Sequence, residues 1–77
     1  MISVITCTIC HIFANYVYEH TNLNMSKCIE QGKGQCESMG QFSGSCYPVI
    51  EQYGPSIYRE IHYGLAPSTA CQRLELC

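Results

Sequence analysis

Residues 46–77 read CYPVIEQYGPSIYREIHYGLAPSTACQRLELC, and the fold turns on this stretch. Cys46, Ile50 and Tyr53 recur at spacings of four and three, the period of a helix with one apolar face. Ser45 suits the N-cap of that helix, and Pro48 then falls in the first turn, where a missing N–H removes no helical hydrogen bond. Gly54-Pro55 is a break, yet the apolar stripe resumes in phase at Ile57, Ile61 and Leu65. The stretch therefore predicts one bent helix or two short ones. Gly64 suits the position just past a helix C-terminus, and Pro67 the first residue of a short last helix carrying Cys71, Leu74 and Cys77.

Toward the N-terminus the period stays helical. Ile2, Ile5, Ile9, Ile12/Phe13 and Tyr16/Val17 form one stripe, and Met1 to Tyr18 contains no Lys, Arg, Asp or Glu. This run is slightly short of the ~20 apolar residues a spanning helix needs, and His11 and Asn15 interrupt it. Asn22 or Asn24 can cap a second helix with Met25, Ile29, Gly32, Cys36 and Met39 on its inner face. Gly32 and Gly34 weaken it by about 1 kcal/mol each relative to Ala. Gly40-Gln41-Phe42-Ser43-Gly44-Ser45 then reads as a turn. No useful run alternates with period two, so the expectation is an all-α fold of four to five helices, one domain over 1–77.

Seven cysteines in 77 residues mark a disulfide scaffold, which a core this small needs as reinforcement. Their spacing is C-x2-C-x17-C-x7-C-x9-C-x24-C-x5-C. Cys7 and Cys10 lie one turn apart on the first helix, and Cys71 and Cys77 lie near the end of the last. Bridges between those helices would lock the termini together, and one between Cys36 and Cys46 would pin the central hairpin. Spacing alone leaves roughly a hundred pairings open.

With Cys28 set aside, the pattern becomes C-x2-C-x25-C-x9-C-x24-C-x5-C, which resembles that of the saposin-like (saposin B-type) family. The segment Cys46-Tyr-Pro-Val-Ile-Glu-Gln-Tyr-Gly-Pro-Ser-Ile-Tyr58 is similar to the family's Cys…Val…Tyr-Gly-Pro-x-Ile, and Pro67 to Cys77 resembles its closing Pro-x-x-x-Cys-x-x-Leu-x-x-Cys. The resemblance runs from Cys7 to Cys77. It implies the pairs Cys7–Cys77, Cys10–Cys71 and Cys36–Cys46, and a leaf of amphipathic helices in two halves that close as a globule or open toward lipid. Single-domain relatives such as the amoebapores and nematode caenopores permeabilise membranes, and other saposins present lipids to hydrolases or fuse vesicles. Three features depart from the pattern. Cys28 has no family partner, and reads as a buried free thiol or as an intermolecular bridge. Lysine, on which several pore-formers rely, is limited to Lys27 and Lys33. The histidine that some amoebapores carry before their last cysteine is absent, since Glu75 and Leu76 stand there.

Other motifs weigh less. Cys7-Thr-Ile-Cys10-His11 is a c-type haem attachment sequence, with Met25 or Met39 available as a second axial ligand, but it leaves five cysteines unexplained. Zinc on Cys7, Cys10 and His11 lacks a second tight ligand pair. Ser43-Gly-Ser-Cys46-Tyr47 echoes a papain-type cysteine, but too little chain follows to supply the distant His and Asn. A thioredoxin-type Cys7-x-x-Cys10 lacks its β-α-β surroundings. The expectation is no enzymatic activity of its own and no cofactor.

Only 13% of residues are charged, about half the usual share, and four Lys+Arg against six Glu give a net charge of −2. Four scattered basic residues make no nucleic-acid patch. The expected partners are membrane lipids, anionic phospholipids above all, with a homodimer or higher oligomer on the membrane as a further possibility. Ile5, Ile9, Ile12, Phe13, Val17, Ile50, Ile57, Ile61 and Leu65 are the expected lipid-facing residues in an open form, and the core in a closed one. Six tyrosines suit a membrane interface, with Tyr16 and Tyr53 expected in the core and the others at its rim.

Histidine titrates near ~6.5 and glutamate near ~4.3 in model peptides. Full protonation of the three histidines and six glutamates moves the side-chain sum from −2 to +7. His11, His20 and His62, with Glu19, Glu51 and Glu60, are the groups expected to make membrane binding acid-dependent. The function expected is binding and perturbation of anionic membranes; a carrier that extracts single lipids for a partner is the alternative. The cysteine density points to secretion or an acidic, lysosome-like compartment. No basic n-region or cleavage site marks Met1–Thr6 as a signal peptide, so the chain reads as a mature or excised domain, Met1 being consistent with an expression remnant. Asn24-Met-Ser26 is an N-glycosylation sequon.

Overall fold

A computed structural model describes residues 3–77, so the expectation for Ile2 lies outside the described residues, as does that for the Met39 side chain. Four α-helices follow one another: α1 (Val4–Glu19), α2 (Met25–Lys33), α3 (Ser43–His62) and α4 (Pro67–Arg73), with a 3₁₀ segment over Gly34–Phe42 between α2 and α3. Helix α1 starts at Ser3, whose Oγ accepts from the Thr6 N–H, a cap the stripe alone does not reveal. Asn24 caps α2 by accepting from the Lys27 N–H at 2.8 Å.

Three expected boundaries are corrected. The second helix ends at Lys33, so Cys36 sits on the 3₁₀ segment, and its buried face is Cys28 and Gly32 with Met25 and Ile29 half-buried beside them. The chain reverses at Gly40, whose φ of 60° and ψ of −120° interrupt the 3₁₀ segment, and α3 begins at Ser43, leaving Ser45 inside it. The last helix stops at Arg73, short of Leu74 and Cys77.

Helix α3 runs unbroken through Gly54-Pro55, so of the two readings of that stretch the single helix is correct. Its end is a Schellman turn. Gly64, at φ 104°, donates to the Ile61 carbonyl and Leu65 to that of Glu60. Helix α4 ends the same way, with Glu75 donating to Gln72 and Leu76 to Cys71, but a glutamate occupies the left-handed position at φ 61°.

The core is a single cluster between the helices: Ile9, Phe13 and Val17 from α1, Ile50, Ile57 and Ile61 from α3, and the bridged Cys10 and Cys71. Gly32 brings α2 against the Phe13 ring of α1, because a Cβ there would overlap that ring. The architecture is all-α, stapled by three disulfides: Cys7–Cys77, Cys10–Cys71 and Cys36–Cys46, with Cα separations of 4.8, 6.0 and 5.5 Å.

Candidate lipid-binding face

The apolar residues singled out for lipid converge on one surface, and that surface faces inward. Ile9, Phe13, Val17, Ile50, Ile57 and Ile61 are buried, Ile12 and Leu65 are half-buried, and Ile5 is exposed. Val4, Tyr18, Tyr47 and Tyr63 add apolar surface already in contact with water. Tyr16 and Tyr53 pack against the core as expected, but so does Tyr58, which the sequence placed at the rim.

The bridges divide the structure into two halves. Cys7–Cys77 and Cys10–Cys71 join α1 to α4 and the C-terminus, while Cys36–Cys46 joins the 3₁₀ segment to α3. No disulfide crosses from the α1–α4 half to the α2–α3 half. The seam between the halves holds the buried stripe and a few polar ties. Tyr16 donates to Gln31 Oε1 (2.8 Å), Tyr58 to the Leu23 carbonyl (2.7 Å), and Arg73 Nε to Glu60 Oε1 (3.3 Å).

The titratable residues are dispersed around this seam and form no single cluster. His20 Nδ1 donates to the Tyr16 carbonyl at 2.8 Å and its ring stacks on Tyr16. His62 stacks on Tyr58 in the same manner, and its ring is otherwise exposed. His11 is half-buried beside the Cys7–Cys77 bridge. Glu19 is exposed. Glu51 accepts from Lys33 Nζ at 2.8 Å, and this hydrogen bond, with the ammonium charge, holds its carboxyl below the usual range.

The remaining motifs lose their chemistry. Both sulfurs of Cys7-Thr-Ile-Cys10 are consumed in bridges, so neither can form a haem thioether or serve as a zinc thiolate. Cys46 is likewise bridged, which removes the papain-like nucleophile. Cys28 is unbridged and fully buried, and burial pushes its thiol pKa up. In the closed form it is a small apolar core residue, out of reach of a partner chain. Asn24 is exposed, with its Oδ1 engaged in the α2 cap.

Residues 46–77 match the family model for saposin-like type B, region 2. That segment is saposin-like. Each of its bridges pairs one cysteine inside the matched segment with one outside it, so the covalent frame ties the matched part to the first 45 residues. No curated protein and no solved structure matches the chain. The saposin-like assignment carries lipid or membrane interaction in general, and the disulfide-rich fold is compatible with a secreted or lysosomal location.

Proposed function

We propose that this saposin-like chain acts at anionic membranes, binding and perturbing or permeabilising them more strongly in acid, without catalytic activity of its own. The observation that carries this reading is the seam: every disulfide lies within one half, so the halves can part while each stays stapled. Full burial of an Ile, Val or Phe side chain contributes about 1.5–3 kcal/mol, so the six buried stripe residues hold the seam shut in water by on the order of 10–20 kcal/mol. Opening therefore requires a substitute apolar phase, and a bilayer is one. Among the described residues no helix is long and apolar enough to cross a membrane. The contact proposed is interfacial, with the helices lying in the headgroup–acyl boundary.

Electrostatics sets the pH dependence. At −2 the chain is repelled by an anionic surface, and each basic charge gained near it is worth about 1 kcal/mol. His11, His20 and His62 gain charge in acid, and neutralising Glu19, Glu51 and Glu60 lowers the cost of laying their helices into the interface. Assembly into oligomers on the membrane, a glycan at exposed Asn24, and a secreted or lysosome-like site of action belong to the same proposal. The test is dye leakage from anionic vesicles between about pH 4 and 7.5, with bound protein measured in the same samples. Leakage and binding that both rise in acid support the reading, and binding indifferent to pH rejects the mechanism. The scarcity of lysine favours one alternative, a carrier that extracts single lipids; acid-dependent binding without leakage would select it.

A further inference from the structure

We propose that the cleft between α3 and the end of α4 binds a phosphodiester, with Arg59 and Arg73 as its two guanidinium ligands. The cleft has a volume of about 280 Å³ and is lined by Ser56, Arg59, Glu60, Tyr63, Arg73 and Leu74. Ser56, Arg59 and Glu60 stand at i, i+3 and i+4 on one face of α3, and Tyr63 follows at i+7 just past its end. The Schellman turn that stops α4 at Arg73 sets Arg73 and Leu74 opposite them.

Three observations point to an anion. Charge is scarce in this chain, yet two of its four basic side chains converge here. Of the other two, Lys33 is paired with Glu51. Arg73 touches Glu60 through Nε and is 62% exposed, and among the described residues its terminal nitrogens have no partner; Glu60, 17% exposed, holds the guanidinium by that one contact. Arg59 is exposed and has no carboxylate within ion-pair distance among the described residues. Two guanidinium groups with hydroxyls at Ser56 and Tyr63 form a donor set suited to the oxygens of a phosphate, which arginine engages in a planar fork.

The charge count selects the ester. Two arginines and one glutamate leave the cleft at +1, which matches a phosphodiester monoanion better than a doubly charged monoester. Tyr63, 81% exposed, and Leu74 supply an apolar lip beside the cations, the arrangement found where a side chain sits at a membrane interface. The same chemistry occurs in a phospholipid headgroup and in a soluble glycerophosphodiester. The lipid form rests on the membrane reading above, and the soluble form does not.

The test uses the full chain and the variants R59Q, R73Q and E60Q. K27Q and E37Q serve as controls that make the same charge changes outside the cleft. One arm measures binding to mixed phosphatidylglycerol–phosphatidylcholine vesicles by flotation at about pH 6, above the ordinary carboxylate range. The other titrates glycerophosphoglycerol and follows the backbone amide shifts of residues 56–63 and 73–75 by NMR. Each Arg→Gln change is expected to weaken binding about fivefold to tenfold, well beyond K27Q. E60Q, which removes the competing carboxylate, is expected to strengthen binding more than E37Q does. Arginine-specific losses on vesicles assign the cleft to a headgroup. Localised shifts that R59Q and R73Q abolish, in a protein that binds no vesicle, assign it to a soluble diester and reject the membrane reading instead. Vesicle binding that R59Q, R73Q and K27Q reduce equally, without localised shifts, overturns the cleft and leaves the membrane reading standing. No binding in either arm overturns both.

Discussion

Substituting alanine for Gly32 tests the closed seam where α2 meets the Phe13 ring. Gly32 lies on the buried face of α2, and a Cβ built there falls well inside 3.0 Å of the Phe13 ring on α1. Intrinsic propensity favours the change, since alanine in a helix is about 0.8–1 kcal/mol better than glycine. Packing opposes it. Phe13 is fully buried with Ile9, Val17 and Ile57 in the same cluster, so its ring has no free direction in which to move, and overpacking of this kind costs about 1–3 kcal/mol, occasionally more. The expected net effect is a loss of up to roughly 2 kcal/mol. Gly34, two residues along, is the matched control. Its φ of −62° and ψ of −25° are ordinary helical values, and a Cβ there meets nothing within 4 Å. Gly34→Ala should gain about 0.5–1 kcal/mol. Guanidinium denaturation followed by far-UV circular dichroism, with disulfides intact, would separate the two variants by their midpoints. Because Gly32→Ala wedges the halves apart, it should also bind anionic vesicles at a higher pH than the unsubstituted chain. A Gly32→Ala protein as stable as Gly34→Ala would refute the close packing of α2 on α1.

Glu75 occupies a left-handed position that costs an L-residue about 1–2 kcal/mol, so Glu75→Gly should raise the denaturation midpoint by the equivalent of about 1 kcal/mol once glycine's looser unfolded chain is counted; an unchanged midpoint would contradict that backbone. The Glu51 carboxyl titrates lower when folded than when unfolded, so its bond to Lys33 stabilises above the ordinary value of 4.5 and that contribution is lost as pH falls through the folded value. Glu51→Gln should therefore flatten the acid limb of the stability profile slightly, and a limb as steep as before would remove the ion pair from the account. Iodoacetamide should label one thiol per chain, Cys28, and only under denaturing conditions; native labelling, or a dimer separable by reductant, would place that thiol at the surface. Replacing both Cys36 and Cys46 by alanine releases a short loop, for which the chain-entropy model gives about 2.5 kcal/mol, and a loss under 1 kcal/mol on denaturation would make the bridge dispensable.

Much of the architecture was legible because two signals reinforce each other. The apolar stripe keeps its phase from Ile50 through Gly54-Pro55 to Ile61, so the helix survives a proline that local rules treat as a break. A Cβ at Gly54 would press on Ile29, so the glycine lets α2 pack close to α3 where the helix's own hydrogen bonding is weakest. The cysteine spacing, read with the family resemblance, marked the same six sulfurs that the structure joins. The helix ends were less legible. Nothing in Leu74-Glu75-Leu76 announces a left-handed residue, because glycine is the usual occupant and the carbonyls of Cys71 and Gln72 impose the turn on a glutamate. The polar ties were hidden for a different reason. Tyr58 and Leu23 stand 35 residues apart, and Arg73 and Glu60 13 apart, so only the folded chain brings them together.

The disulfide map also says what each bridge is for. Once Cys10–Cys71 has closed its long loop, Cys7–Cys77 encloses only the few residues between Cys7 and Cys10 and between Cys71 and Cys77. In the chain-entropy model the second bridge then adds about 2–3 kcal/mol, where alone it would add about 4. Its larger effect is orientational. Two bridges a turn apart prevent α4 from swivelling about α1, so these helices move as one body. Opposite them, Cys36–Cys46 ties α3 to the 3₁₀ segment that continues from α2, and there too the covalent constraint preserves the half. A protein stapled only for stability gains most from a bridge across its largest buried interface, since that interface is what unfolding separates. Here that interface, with Ile9, Phe13 and Val17 on one side and Ile50, Ile57 and Ile61 on the other, is the one left uncrosslinked. Its integrity depends on the hydrophobic effect, which disappears when the apolar faces find another apolar phase. On the membrane reading proposed above, the contacts that keep the chain closed in water are the ones a bilayer would replace, and the staples would leave two intact amphipathic leaves.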